Sequence, residues 1–104
     1  MITADMVNDI VERLVERFHP DKVILFGSCA RGEADEGSDV DLLIVAETDL
    51  DPGERFPAAR RALAGIPAAF DLIVRTPDEY RRRREVVNDI VYFAEKYGKV
   101  IYER

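Results

Sequence analysis

The chain has 104 residues, room for one small domain, and its 47% apolar and 35% charged side chains suit a closed hydrophobic core rather than disorder. Twenty-one acids against 15 bases leave a net charge of −6, which disfavours general attraction to nucleic acid or anionic membrane. One cysteine excludes an internal disulfide and, beside a single histidine, the usual zinc ligand sets, so carboxylates are the metal ligands to look for.

At the N-terminus, Asp5, Asp9 and Glu12 stand where a signal peptide needs a basic start and an unbroken apolar run. No stretch approaches the roughly 20 apolar residues that span a bilayer, so the reading is a cytoplasmic protein with no membrane contact. Met6, Val7, Ile10, Val11, Leu14, Val15 and Phe18 fall on one face of an amphipathic helix. Thr3 is its N-cap, Asp5 favours the positive first turn, and His19-Pro20 ends it, with His19 capping the last carbonyls.

Lys22 to Gly27 is a short apolar run of buried-strand type, and residues 28–38 are polar, carry Gly32 and Gly37, and show no period, as a loop does. A second strand follows at 39–45, apolar on both faces except for Asp39 and Asp41. After an acidic turn ending at Pro52-Gly53 comes a helix over 54–64, with Pro57 assigned to its first turn. The third strand is 69–74. Thr76-Pro77-Asp78-Glu79 then opens a helix with an N-cap threonine, proline at the first position and glutamate three residues after the cap.

In that last helix Val87, Ile90, Val91, Ala94 and Tyr97 line up as a stripe, but its rows run back into Arg83 and Arg84. Either the helix breaks near 84–88 or an arginine reaches inward. Gly98 stops it, and residues 99–103 can add an edge strand. One domain over 1–104 follows, of α/β (α+β) class: a small mixed sheet packed by helices, in the order α-β-β-α-β-α with a C-terminal edge strand.

Three acids each interrupt an apolar strand: Asp39, Asp41 and Asp71. Residues two apart on a strand share a face, so Asp39 and Asp41 hold their carboxylates a few ångströms apart. Two like charges so close are costly unless a cation lies between them. Mg²⁺ takes hard oxygen ligands, commonly one or two carboxylates plus substrate phosphates, with Asp71 available as a third ligand. The alternative is structural: Asp39 closes the turn after Ser38, while Asp41 and Asp71 pair with arginines. Gly27-Ser28, at the end of a buried strand, tips the balance. Glycine lets a phosphate approach the main chain, backbone N–H groups form an anion cradle, and the serine hydroxyl donates to the same oxygens.

Gly27-Ser28, ten intervening residues, then Asp39-Val40-Asp41 resembles the signature of the DNA polymerase β-like nucleotidyltransferase superfamily. More closely, Phe26-Gly27-Ser28-Cys29-Ala30-Arg31-Gly32 followed by Ser38-Asp39-Val40-Asp41-Leu42-Leu43 resembles the minimal nucleotidyltransferases, the MNT family, including the MntA antitoxins encoded beside HEPN-domain toxins. The resemblance covers nearly the whole chain and implies a nucleotidyltransferase fold. It also implies transfer of AMP from Mg-ATP to an acceptor hydroxyl.

By the same resemblance Asp39, Asp41 and Asp71 are the catalytic and metal-binding positions, holding two Mg²⁺ ions, and Asp71 takes the acceptor's proton. Gly27 and Ser28 hold the outer phosphates, and Arg31 either contacts phosphate or bridges the loop. The acceptor implied is a tyrosine of a HEPN RNase toxin, silenced by AMPylation in a hetero-oligomer. Two other readings stay open: an antitoxin that acts by binding and occlusion, and transfer to a small molecule. Cys29 packs the loop, the tyrosines pack and hydrogen-bond, and the arginines at 81–84 form a solvated face from which one can meet an acidic partner or the triphosphate.

Overall fold

Helix α1 (Ala4–Phe18) begins where its cap was expected: Thr3 accepts a hydrogen bond from the Met6 N–H at 3.1 Å. It ends at His19, which adopts the left-handed conformation (φ 48°) and donates its backbone N–H to Val15 at 2.9 Å. His19 thus caps the helix through its main chain. The computed structural model describes residues 2–30 and 39–104.

Four strands form one mixed sheet: β1 (Lys22–Phe26), β2 (Val40–Val45), β3 (Phe70–Arg75) and β4 (Lys99–Glu103), in the order β3-β2-β1-β4. β1 pairs antiparallel with β2 and β4, so the expected C-terminal edge strand is present, while β2 and β3 run parallel. A parallel pair needs a crossover, supplied by helix α2 (Pro52–Ala62). α2 starts two residues before the expected 54, with Pro52 at its first turn. Pro57 therefore lies inside the helix rather than in its first turn, a correction whose cause is Pro52, a better N-terminal position for a residue lacking an N–H.

Strand alternation divides the core between the two faces of the sheet. Val23, Leu25, Leu42, Ile44, Leu72 and Val74 pack with Ile10, Leu14 and Phe18 of α1 and Ala58 and Ala59 of α2. On the other face Ile24, Phe26, Leu43, Val45 and Ile73 meet Tyr80, Val91 and Ala94. Those three come from two short helices, α3 (Pro77–Arg83) and α4 (Ile90–Tyr97), so the chain takes the break left open near 84–88. Thr76 and Glu79 form the full reciprocal capping box at the start of α3, and Asp89 caps α4 by accepting from the Val91 N–H at 2.9 Å.

The expected apolar stripe is only partly buried. Val91 and Ala94 face the core, but Val87 is 65% and Tyr97 58% exposed, and Ile90 and Phe93 are also exposed. The break explains the difference, because α4 restarts at Ile90 and two turns of helix can bury only one narrow row. Gly98 follows in extended backbone. A side chain there would collide with the Ala94 carbonyl and an Ile24 methyl, so close packing rather than a left-handed turn calls for glycine. Among the described residues no helix is long and apolar enough to cross a membrane.

Candidate active site

The register of the sheet assembles the acidic residues. Asp41 is paired with Phe26 of β1 on one side and with Asp71 of β3 on the other, so the three lie in one row across adjacent strands. Neighbouring strands lie about 4.8 Å apart, which brings the Asp41 and Asp71 positions together although 30 residues separate them in the chain (71 − 41 = 30). Asp41 alternates with Leu43 and Val45, and Asp71 with Ile73, so both belong to the face covered by α3 and α4. Asp39 immediately precedes β2, two positions before Asp41, and is exposed; its carbonyl accepts from the Cys29 thiol at 3.5 Å.

Beyond Phe26 the chain enters a short 3₁₀ turn, Gly27–Cys29. Gly27 has φ 72°, a conformation that suits glycine, and a Cβ there would run into the Asp41 carboxylate, whose Cγ would lie only 3.1 Å away. Glycine at this position is thus required by Asp41 itself, beyond any approach of a ligand to the main chain. Ser28 follows, half-buried, beside the acids. Burial and the Asp41 carboxylate push the Cys29 thiol up from its ordinary value, in line with its packing against the core.

All the sequence-predicted site residues but one can now be placed. Gly27, Ser28, Asp39, Asp41 and Asp71 come to one end of the sheet, and Arg31 lies outside the described residues. Among the described residues Asp71 forms no ion pair with an arginine, contrary to the structural alternative for it. No three His, Cys, Asp or Glu side chains among the described residues converge on one metal-sized point. The fit to a divalent cation rests instead on the donor chemistry of the adjacent Asp41 and Asp71, since Mg²⁺ is satisfied by one or two carboxylates with water and phosphate completing its shell.

The sequence did not single out the apolar wall of this site. Phe26, Gly27 and Asp41 share a cleft of about 400 Å³ with Ile90, Phe93 and Tyr97. Phe93 and Tyr97 stack with ring centroids 6.2 Å apart, and both remain exposed. Ile90 and Tyr97 belong to a stripe that reads equally well as buried core, and Phe93 lies outside it, so only exposure distinguishes a wall from a core. The arginines at 81–84 take other partners: Arg82 pairs with Asp78 at 2.9 Å, Arg83 lies 3.8 Å from Asp89, and Arg84 sits over the Tyr80 ring at 5.9 Å.

Residues 7–103 match the family described as the nucleotidyltransferase domain. A candidate protein adenylyltransferase of Methanocaldococcus jannaschii is 60% identical over 30 residues, a match spanning 29% of this chain and 30% of that protein. In three dimensions the chain resembles a toxin-antitoxin crystallised with AMP-PNP (TM-score 0.70, 22% identity, 94% of this chain and 73% of that one). It also resembles the MntA-HepT toxin-antitoxin (0.61, 20%, 94% and 70%). A candidate nucleotidyltransferase from Sulfolobus solfataricus superposes with a TM-score of 0.62 at 25% identity, over 94% of this chain and 78% of that one.

Proposed function

The chain belongs to the nucleotidyltransferase domain family, and on that premise we propose that it transfers AMP from Mg-ATP to a tyrosine hydroxyl of a partner HEPN RNase toxin and so neutralises it in the cytoplasm. The observation that carries this reading is the register that sets Asp41 opposite Asp71 with Gly27 against the Asp41 carboxylate. In the reaction the acceptor oxygen bonds to the α-phosphorus while the bond from that phosphorus to the pyrophosphate oxygen breaks. Asp71, on the edge strand, takes the hydroxyl proton, and the Gly27 N–H and Ser28 hydroxyl bind the outer phosphates. Asp39 and Asp41, with Asp71 for one of two ions, are the residues that would hold Mg²⁺, which when bound supplies charge neutralisation and alignment of the triphosphate.

The exposed wall of Ile90, Phe93 and Tyr97 supports a protein acceptor over a small molecule. A hydroxyl delivered by another chain needs a surface to seat that chain beside the carboxylates. The same wall also suits an antitoxin that binds and occludes without chemistry. The decisive experiment is mass spectrometry of the chain co-expressed with its HEPN partner. Wild type is expected to add AMP to the partner, and Asp39→Ala with Asp41→Ala to lower Mg²⁺-dependent transfer by on the order of 10³-fold or more while circular dichroism stays unchanged. Full neutralisation of the partner in cells by the double variant would leave occlusion as the mechanism.

A further inference from the structure

At the other end of β3 four guanidinium groups converge. Arg55, Arg75, Arg82 and Arg83 line a cleft of about 390 Å³ whose lining carboxylates, among the described residues, are Glu79 and Asp89. Arg82 also pairs with Asp78 at 2.9 Å, so in a chain with an overall charge of −6 the four guanidinium groups meet three carboxylates, a local excess of one positive charge. Both lining carboxylates are already committed. Glu79 receives Arg55 at 2.7 Å and the Thr76 N–H at 2.8 Å, and Asp89 caps α4.

Arg55, only 9% exposed, also donates to the Val74 carbonyl at 3.3 Å and forms a fixed floor. Arg75 donates to the same carbonyl at 3.1 Å, and among the described residues it has no carboxylate partner, which leaves most of the five donors of its fork available. Arg83 has only a distant carboxylate at 3.8 Å. Like charges brought this close repel, and a multiply charged anion accepting from planar guanidinium forks offsets that repulsion.

We propose that this arginine-lined cleft, formed by the C-terminal end of β3 with α2 and α3, binds a phosphate-bearing ligand at a second site separate from the carboxylates. Four residues of strand, about 13 Å, separate Asp71 from Arg75, so the two sites can be filled independently. Phosphate chemistry suits a concave site of this size, and it reaches the protein either as a free, multiply charged diphosphate group or as the successive singly charged phosphodiesters of a nucleic-acid backbone.

Calorimetric titration in EDTA, where a metal-dependent nucleotide site is silent, distinguishes the sources, using inorganic pyrophosphate and a short single-stranded RNA as probes. Salt-sensitive binding is expected in wild type and in Asp39→Ala with Asp41→Ala. Arg75→Ala with Arg83→Ala is expected to weaken it at least about tenfold. Arg83→Glu alone, at an exposed side chain, repeats the test should the double variant unfold. Binding of pyrophosphate but not RNA assigns a free ligand, and tighter binding of RNA assigns a nucleic-acid backbone. No binding of either probe, binding indifferent to both arginine changes, or loss in the aspartate variant would overturn the proposal.

Discussion

β3 carries Asp71 near one end and Arg75 at the other, and the two surroundings are built in opposite ways. Around Asp71 the neighbour across the strands is another acid, Asp41, and like charges stand together at an exposed rim. Around Arg75 opposite charges interleave: Arg55 ties α2 to Glu79 of α3 and closes the free edge of the sheet over Val74. The arginine end is held by the Arg55–Glu79 pair and the helix caps, while Arg75, without a carboxylate partner among the described residues, is the charge left over there. The acidic end places like charges side by side across β2 and β3, a repulsion that a bound cation would offset.

That contrast predicts where stability and activity separate. The largest change in activity after loss of the aspartates themselves is expected from Gly27→Ala, because the new methyl must share space with the Asp41 carboxylate in a backbone conformation of φ 72°. AMP transfer should fall on the order of 10²-fold, with a stability loss of about 1–3 kcal/mol read by urea denaturation. Arg55→Met tests the opposite end. It removes the nearly buried cation that Glu79 pairs with, leaving that carboxylate, among the described residues, only the Thr76 N–H, and a loss of about 2–3 kcal/mol is expected by the same measurement. An unchanged urea midpoint would erase the distinction between the two ends.

A smaller effect belongs to the apolar wall. Phe93→Ser with Tyr97→Ser is expected to raise the KM for the proposed protein acceptor about tenfold while the thermal midpoint stays near wild type, since both side chains are already exposed. The smallest is a pH effect. Burial alone would raise Glu79, but the Thr76 N–H and the Arg55 guanidinium outweigh it and hold the carboxyl below its ordinary 4.5. Its contribution to stability is therefore present above pH 4.5 and lost as the pH falls below it. Urea midpoints measured down through that range should fall less in Arg55→Met than in wild type.

Much of this was legible along the chain because it depends on neighbours a few residues apart. The cap at Thr3, the capping box at Thr76 and Glu79, the three apolar strands and the final edge strand all follow from local periodicity and hydrogen bonding. The pairing of Gly27-Ser28 with Asp39 and Asp41 was visible as spacing. Less visible was whether the rows running from Arg83 and Arg84 belong to one helix. The answer depends on α3 and α4 packing separately on the sheet, with Tyr80 buried from one and Val91 and Ala94 from the other. The exposure of Ile90, Phe93 and Tyr97 follows from the same break.

By itself, then, the sequence determined the order of the elements as far as the start of α3, the final edge strand and the set of acids that interrupt the strands, since propensity, capping and alternation act over one or two turns of chain. Tertiary structure alone decided that Asp71 stands opposite Asp41, because the register of a parallel pair is set by crossover α2 and by the apolar faces of β2 and β3. It also decided that four arginines from α2, β3 and α3 meet at one cleft. Both placements bring together side chains distant in the chain, and no local rule acts over that separation.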